Sequence, residues 1–330
     1  MVKRLIAVPI AVFVVLSAAF LLVAVVPSNP AATILGGLAS QSAIIAFNHN
    51  LGLDKPLPVR YGDYLQGLAH GDLGHSYYGS DAVAADIRTY LPSTIELVVP
   101  AIIVALVLGV VLGGLGAYYP RRWPDWLSTI FTTVTQSIPD WVLGLLLIFI
   151  FYFILRWAPA PIGQSSITDA QLPSITGALI VDSLLAGNVG AAASAAAHLV
   201  LPVLSLGIVY TGVFSKVTRA ALGREMQSAP IEFARACGLP EWRVVHYAWL
   251  AGRAPIITYI AIMLGALMGG ESILETVFAW NGFGQWGLTG VLRLDLPVVQ
   301  GFVLITGTFT VLVYIVLDLV VMLLDPRVRQ

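Results

Sequence analysis

The groups with the strongest chemical demands in this chain are three carboxylates set in apolar sequence: Asp140, Glu271 and Glu275. Asp140 follows Pro139 about halfway along the apolar run 126–155. An ionised Asp at the centre of a lone membrane helix costs about 2.5–3.5 kcal/mol. It must therefore face a bundle interior or a wet cavity, either lining a path for a solute or pairing with a neighbouring helix. Glu271 follows Gly269-Gly270 and precedes Glu275 by four residues, so the two share a face if the helix continues that far. Path lining and hydrogen-bonded structure are both open for Glu271. All three are candidate translocation-path residues.

Enzymatic chemistry finds no footing. The lysines are Lys3, Lys55 and Lys216, preceded by Val2, Asp54 and Ser215, so no phosphate-cradling Gly-Lys-Ser/Thr can be written. The five histidines do not include a His-Glu-x-x-His pair. Gly163-Gln164-Ser165 and Gly270-Glu271-Ser272 begin a hydrolase elbow but lack its closing glycine. The one cysteine, Cys237, excludes an intramolecular disulfide and a Cys-rich metal site. A net charge of -1 provides no basic field for nucleic acid.

The elements that must hold those carboxylates are membrane helices. Hydrophobic residues make up 58% of the 330 and charged residues 11%, against about 25% charged in soluble domains. Mean hydropathy is +0.87. A crossing needs about 20 apolar residues, and six runs supply them: 5–26, 95–119, 126–155, 198–214, 256–274 and 298–324. The first is longer than a signal peptide's apolar region and lacks a clean cleavage site, so it reads as an uncleaved span. Gly109, Gly113, Gly114 and Gly116 suit close helix approach in lipid. With the amino terminus inside, twelve of the 17 Lys and Arg fall in inner segments, and Lys55, Arg60, Arg88, Arg156 and Arg293 fall outside. Both termini are then cytoplasmic. The expected fold is an all-α polytopic membrane protein with six transmembrane helices. Residues 1–27 form the first helix, 28–94 an extracytoplasmic cap, and 95–330 a five-helix core.

Between the fourth and fifth runs, residues 216–253 form the longest inner connection. Residues 230–237 read as one short helix, stopped by Gly238-Leu239-Pro240, and 241–250 as a second. Phe233 and Ala234 on the first and Trp242 and Val245 on the second form an apolar tip rimmed by Arg235, Glu241 and Arg243. Such a pair suits docking into a partner's groove or lying flat on lipid.

The run Glu232-Phe233-Ala234-Arg235-Ala236-Cys237-Gly238 resembles the EAA loop of ABC importer permeases. Phe233 stands where the family's residue is usually small, and Cys237 where many relatives carry lysine. Leu51-Gly52-Leu53-Asp54-Lys55-Pro56-Leu57-Pro58, Gly71-Asp72-Leu73-Gly74 and Leu91-Pro92-Ser93-Thr94-Ile95-Glu96 are similar to motifs of the dipeptide/oligopeptide/nickel permease family. Glu275-Thr276-Val277-Phe278, Leu296-Pro297-Val298-Val299-Gln300-Gly301 and Leu324-Asp325-Pro326-Arg327-Val328-Arg329 extend the similarity over most of the chain.

The resemblance implies a permease subunit of the bacterial inner membrane, paired as a heterodimer with a second homologous permease. Two ABC ATPase subunits would hold ATP and Mg, this chain binding no cofactor. A solute-binding protein would deliver peptide or a similar solute outside. Glu232, Phe233, Ala234, Gly238, Glu241 and Trp242 would then couple to the ATPases. A secondary transporter or channel is the alternative, but it calls for inverted repeats and a denser charge relay. A non-transporting scaffold would explain the glycines but not Asp140.

Overall fold

The computed structural model describes residues 2–25, 40–79, 82–165 and 174–324. In chain order the helices are α1 (Val2–Val25), α2 (Gln41–Asn50), α3 (Leu57–Ala69), α4 (Val83–Tyr118), α5 (Trp123–Ser137), α6 (Asp140–Leu147), α7 (Leu179–Leu185), α8 (Val189–Met226), α9 (Ala229–Ala236), α10 (Glu241–Gly270), α11 (Ser272–Val277), α12 (Phe283–Arg293) and α13 (Leu296–Leu324). Among the described residues no strand forms beyond an isolated His75–Ala82 bridge. The chain is an all-α polytopic membrane protein. Helices α4, α8, α10 and α13 are each long and apolar enough to cross a membrane. Helix α5 and the segment Asp140–Ile154 are apolar enough together to count as a fifth span if taken as one, and they are bent by 95° at the break between them. The described apolar stretch of α1 is Pro9–Leu21.

Pro139 explains the bend. Ile138 before it is extended (φ -113°, ψ 121°), as the proline ring demands of its predecessor. Pro139 then caps α6, which loosens into a π-helical turn over Ile148–Ile154, closed by Leu155 N donating to Ile150 O at 2.9 Å.

Several helices outrun the expected spans. α4 has 36 residues and α8 has 38, or roughly 55 Å each at 1.5 Å per residue, against about 30 Å of hydrocarbon. Residues 83–94, expected in the cap, are the first turns of the same helix as the second expected span. The Ala-rich segment before His198 likewise joins α8, its start capped by the Asn188 side chain accepting from Ala191 N at 3.0 Å. The second short helix expected at 241–250 is the first third of α10, with Pro255 inside the continuous helix. Polar residues mark where lipid ends, but the hydrogen-bonded ladder runs on past that boundary.

The centre of the bundle is the contact of α4 with α8, the most extensive in the molecule. A Cβ on Gly113 would fall on Ser215 O and lie 2.9 Å from Thr218 Cβ. Gly212 of α8 takes Thr135 of α5 in the same way. Hydroxyls stitch the seam: Ser128 Oγ to Ser215 Oγ at 2.9 Å, and Thr132 Oγ1 donating to Gly212 O at 3.2 Å. Nearer the α11 end, Leu97, Ala101, Leu206, Leu274, Phe278 and Trp280 form the apolar core. The apolar side chains of Ile103, Val107 and Val111 on α4 and Leu312 and Val316 on α13 face outward, as a lipid-facing surface requires.

The expected cap is built into the bundle rather than standing off it. Phe20 of α1 packs on Tyr61 and Tyr64 of α3, with ring centroids 5.1 and 5.5 Å apart. Ser76 Oγ donates to buried Asp295 at 2.5 Å, and Tyr78 Oη donates to Arg293 O at 2.8 Å. Burial and then Asp295, partly offset by Arg60, push the Tyr77 phenol up to about 12. Residues 28–39 of the cap lie outside the described residues.

The α4–α8 seam makes a paired expectation. Gly113→Ala should lower the thermal unfolding midpoint of the detergent-purified chain, since overpacking costs about 1–3 kcal/mol. Gly114→Ala, whose Cβ would meet only Leu222 Cδ1 at 3.8 Å, should leave it equal or higher, Ala being about 1 kcal/mol better than Gly in a helix. Equal midpoints for the two variants would show that the seam is not tightly packed.

Candidate functional site

Two groups of the expected residues sit at opposite ends of α10. At its start, α9 begins with Pro230 in the first turn after Ser228 and stops at Gly238, whose φ is +77°. Gly238 N donates to Arg235 O at 2.9 Å and Leu239 N to Ala234 O at 3.2 Å. This crossed pair is the Schellman closure, and it requires the left-handed residue that glycine adopts without steric cost. Ile231 and Ala234 pack against Val244 and Ala248 of α10, with Met226 and Leu239 around them. Ala234 is 8% exposed and does not project, correcting the expectation. It shares the inward face with Ile231 three residues earlier, so the helical period that turns Phe233 out turns Ala234 in. Val244 rather than Val245 is the fully buried residue of the facing turn.

What does project is aromatic. Phe233 is 70% exposed and Trp242 67%, beside exposed Glu232 and Glu241. Arg235 ties the pair together, donating to Glu241 Oε1 at 3.0 Å and to Met226 O at 3.3 Å. Arg243 lies 5.1 Å from the Trp242 ring centroid. The exposed ion pair is worth little, about 0.2–1 kcal/mol, so burial of Ile231, Ala234, Val244 and Ala248 must hold the two helices together.

At the far end, α10 stops at Gly270 and Glu271 caps it. Glu271 is 5% exposed and accepts from Tyr210 Oη of α8 at 3.1 Å. The side chain of Asp140, at the first position of α6, neighbours that of Glu271. Ser205 Oγ of α8 donates to Asp140 O at 2.5 Å and pins the bend. Asp140 is half-buried, whereas Glu271 is enclosed. The bend thus gathers two carboxyl groups and a phenol from three helical segments. Tyr210 gave no signal in the sequence, since one tyrosine in an apolar run reads as packing.

Glu275 stands apart. It is fully buried, accepting from Thr94 Oγ1 at 2.5 Å and Gln285 N at 2.6 Å, with Gly284 N a third donor. A Cβ on Gly282 would occupy the carboxylate's place. The segment 278–285 wraps this group, Trp280 N donating to Glu275 O at 2.8 Å and Trp280 Nε1 to Ser93 O at 2.9 Å. These contacts make Glu275 the anchor of the α11–α12 turn. Helix α7 is fixed in a similar way, Glu96 accepting from Leu179 N at 3.0 Å and Ile180 N at 2.7 Å. Burial raises the Asp182 carboxyl, but donations from Thr176, Gly177 and Ile175 outweigh it and hold it below its ordinary range.

A family model, the binding-protein-dependent transport system inner membrane component, matches residues 90–330, and the model of its N-terminal part matches residues 1–98. The chain belongs to this family. It is 37% identical over 314 residues to a probable D,D-dipeptide transport system permease protein of Escherichia coli (strain K12), covering 94% of this chain and 92% of the relative. It is 33% identical to a dipeptide transport system permease protein of Alkalihalophilus pseudofirmus, covering 94% and 93%. A glutathione transport system permease protein of Escherichia coli O6:H1 is 29% identical over 99% of this chain and 98% of the relative. This inner membrane component is thus a multi-pass membrane permease component and not an enzyme. Residues 325–329 of its closing motif lie outside the described residues.

Removing one acceptor from the enclosed anchor tests that role. Glu275→Gln would set an amide N–H₂ against backbone donors, costing about 1–3 kcal/mol for a buried group left unsatisfied. A lower thermal midpoint in detergent is expected. An unchanged midpoint would mean that the α11–α12 turn is held by other contacts.

Proposed function

We propose that this chain forms one half of the translocation pathway of an ATP-driven importer for peptides or similarly sized solutes. A second homologous permease supplies the other half. Two ATPase subunits, holding ATP and Mg, dock on the α9 tip, and alternating access follows their cycle. A solute-binding protein delivers cargo at the opposite end, where the cap joins the α12–α13 turn. The end bearing α9 is taken as cytoplasmic because Arg121, Arg122, Lys216, Arg219, Arg224, Arg235 and Arg243 gather there. On this reading α1 is the sixth crossing and both termini are inside. The peptide class rests on the relatives' names together with the Asp140–Glu271 pair, which suits a cationic amine.

The observation that carries the reading is the tip: Phe233 and Trp242 exposed on a helix pair that is otherwise packed and capped. Interface anchors of this type typically contribute 2 kcal/mol or more each. In the complex reconstituted with its partner subunits, Phe233→Ala with Trp242→Ala should leave insertion intact. ATPase stimulation by loaded binding protein should fall by at least about 30-fold. Full stimulation in that variant would rule out ATPase docking at the tip.

Asp140 is tested by cargo charge. Asp140→Asn should change uptake of cationic relative to neutral peptides about tenfold, or roughly 1.4 kcal/mol, desolvation offsetting much of the Coulombic gain. Equal loss for every cargo with poor expression would assign Asp140 to structure alone.

A further inference from the structure

At the α9 end of the bundle, the last turn of α4, the start of α5 and the end of α8 line an open cavity of about 380 Å³. Its α8 wall follows one helical face, Lys216, Arg219, Ala220, Gly223 and Arg224, spaced three and four residues apart. Small residues leave the space open, for a Cβ on Gly223 would meet nothing within 4 Å.

The lining is basic. Asp125 is its one acidic residue, and Arg219 Nε holds that carboxylate at 2.5 Å while Arg121 N donates to it at 2.9 Å. Arg219 and Asp125 cancel, leaving Lys216 and Arg224 as two uncompensated positive charges among the lining residues. Neighbouring Glu225 packs toward α10, its Cγ 3.4 Å from where a Gly252 Cβ would stand. On either side of the lining residue Asp125 in the sequence of α5, Trp123 and Trp126 are 74% and 69% exposed. Indoles displayed in this way sit at the boundary of membrane and water, so the cavity opens at the level of lipid headgroups.

We propose that this cavity binds the phosphoryl headgroup of an anionic phospholipid, with Lys216 and Arg224 taking the phosphate and Trp123 and Trp126 lying against the glycerol and upper acyl region. Basic pockets between membrane helices are suited to such headgroups. The inference is independent of the proposed docking at the α9 tip. It has a consequence for that tip, because Gln227 lines the cavity and Met226 O receives Arg235 of α9. An occupied cavity braces the segment from which α9 hangs.

The test is native mass spectrometry of the full chain in detergent with equimolar phosphatidylglycerol and phosphatidylcholine. Wild type should retain phosphatidylglycerol preferentially. Lys216→Gln with Arg224→Gln should weaken that retention about 30-fold, near fivefold per cation, with phosphatidylcholine adducts unchanged. Gly223→Leu should also exclude the lipid, by filling the cavity while the charges remain. Lys55→Gln at the opposite end should retain it. Equal retention of both lipids by wild type, or undiminished phosphatidylglycerol binding in both cavity variants, would overturn the proposal. Displacement of phosphatidylglycerol by millimolar inorganic phosphate would overturn the lipid source, making the ligand a free phosphoryl anion.

Discussion

The arrangement depends on how closely α4, α5 and α8 approach one another. Lipid tails are as apolar as leucine, so expulsion of water does not drive helices together within a bilayer, and packing must. Gly113 under the Ser215 carbonyl and Gly212 against Thr132 Cα and the Thr135 side chain bring the helices into close approach. The hydroxyl contacts along the seam average about 0.6 kcal/mol each where such bonds have been measured, so they fix register more than they supply affinity. That seam sets the bend at Pro139, because Ser205 on α8 holds the Asp140 carbonyl. It also sets the α11–α12 turn, because Thr94 on α4 supplies a donor to Glu275 and an acceptor to Phe283 N.

Against this fixed frame, α10 is the element that touches both functional ends. It runs 30 residues, roughly 45 Å. Its first turns carry α9 through Ile231, Ala234, Val244 and Ala248. Its last residue hands the chain to Glu271, which meets Tyr210 and Asp140. One helix thereby joins the proposed docking tip to the carboxyl groups at the bend. Pro255 inside α10 removes one backbone donor partway along and is the natural point of flexure.

Much of this was legible in the residues. Gly238 followed by Pro240 marked a helix stop with a left-handed glycine, and the backbone is that. Asp140 beside Pro139 marked a break in a span, and the chain turns there. Helix lengths were misread because hydropathy reports the lipid-facing stretch, whereas the α8 and α10 ladders continue into polar sequence. The meeting of Asp140 with Glu271, 131 residues apart in the sequence, has no local signature. The burial of Ala234 needed only the three-residue period from Ile231, but its place next to Phe233 made it read as part of the tip. Glu275 belongs with a loop of glycines at 282 and 284 that leave space for a carboxylate, a pattern that becomes readable once the wrapped turn is known.

The central claim is that the α9 tip is covered by ATPase subunits in the working importer. Cys237, exposed at the end of α9 and the chain's one cysteine, reports on it without any substitution. The measurement is the rate at which a membrane-impermeant maleimide modifies Cys237 in inside-out vesicles, with and without the partner ATPases. The account predicts rapid modification of the permease alone and strong protection in the assembled complex. Equal rates in the two states would contradict it.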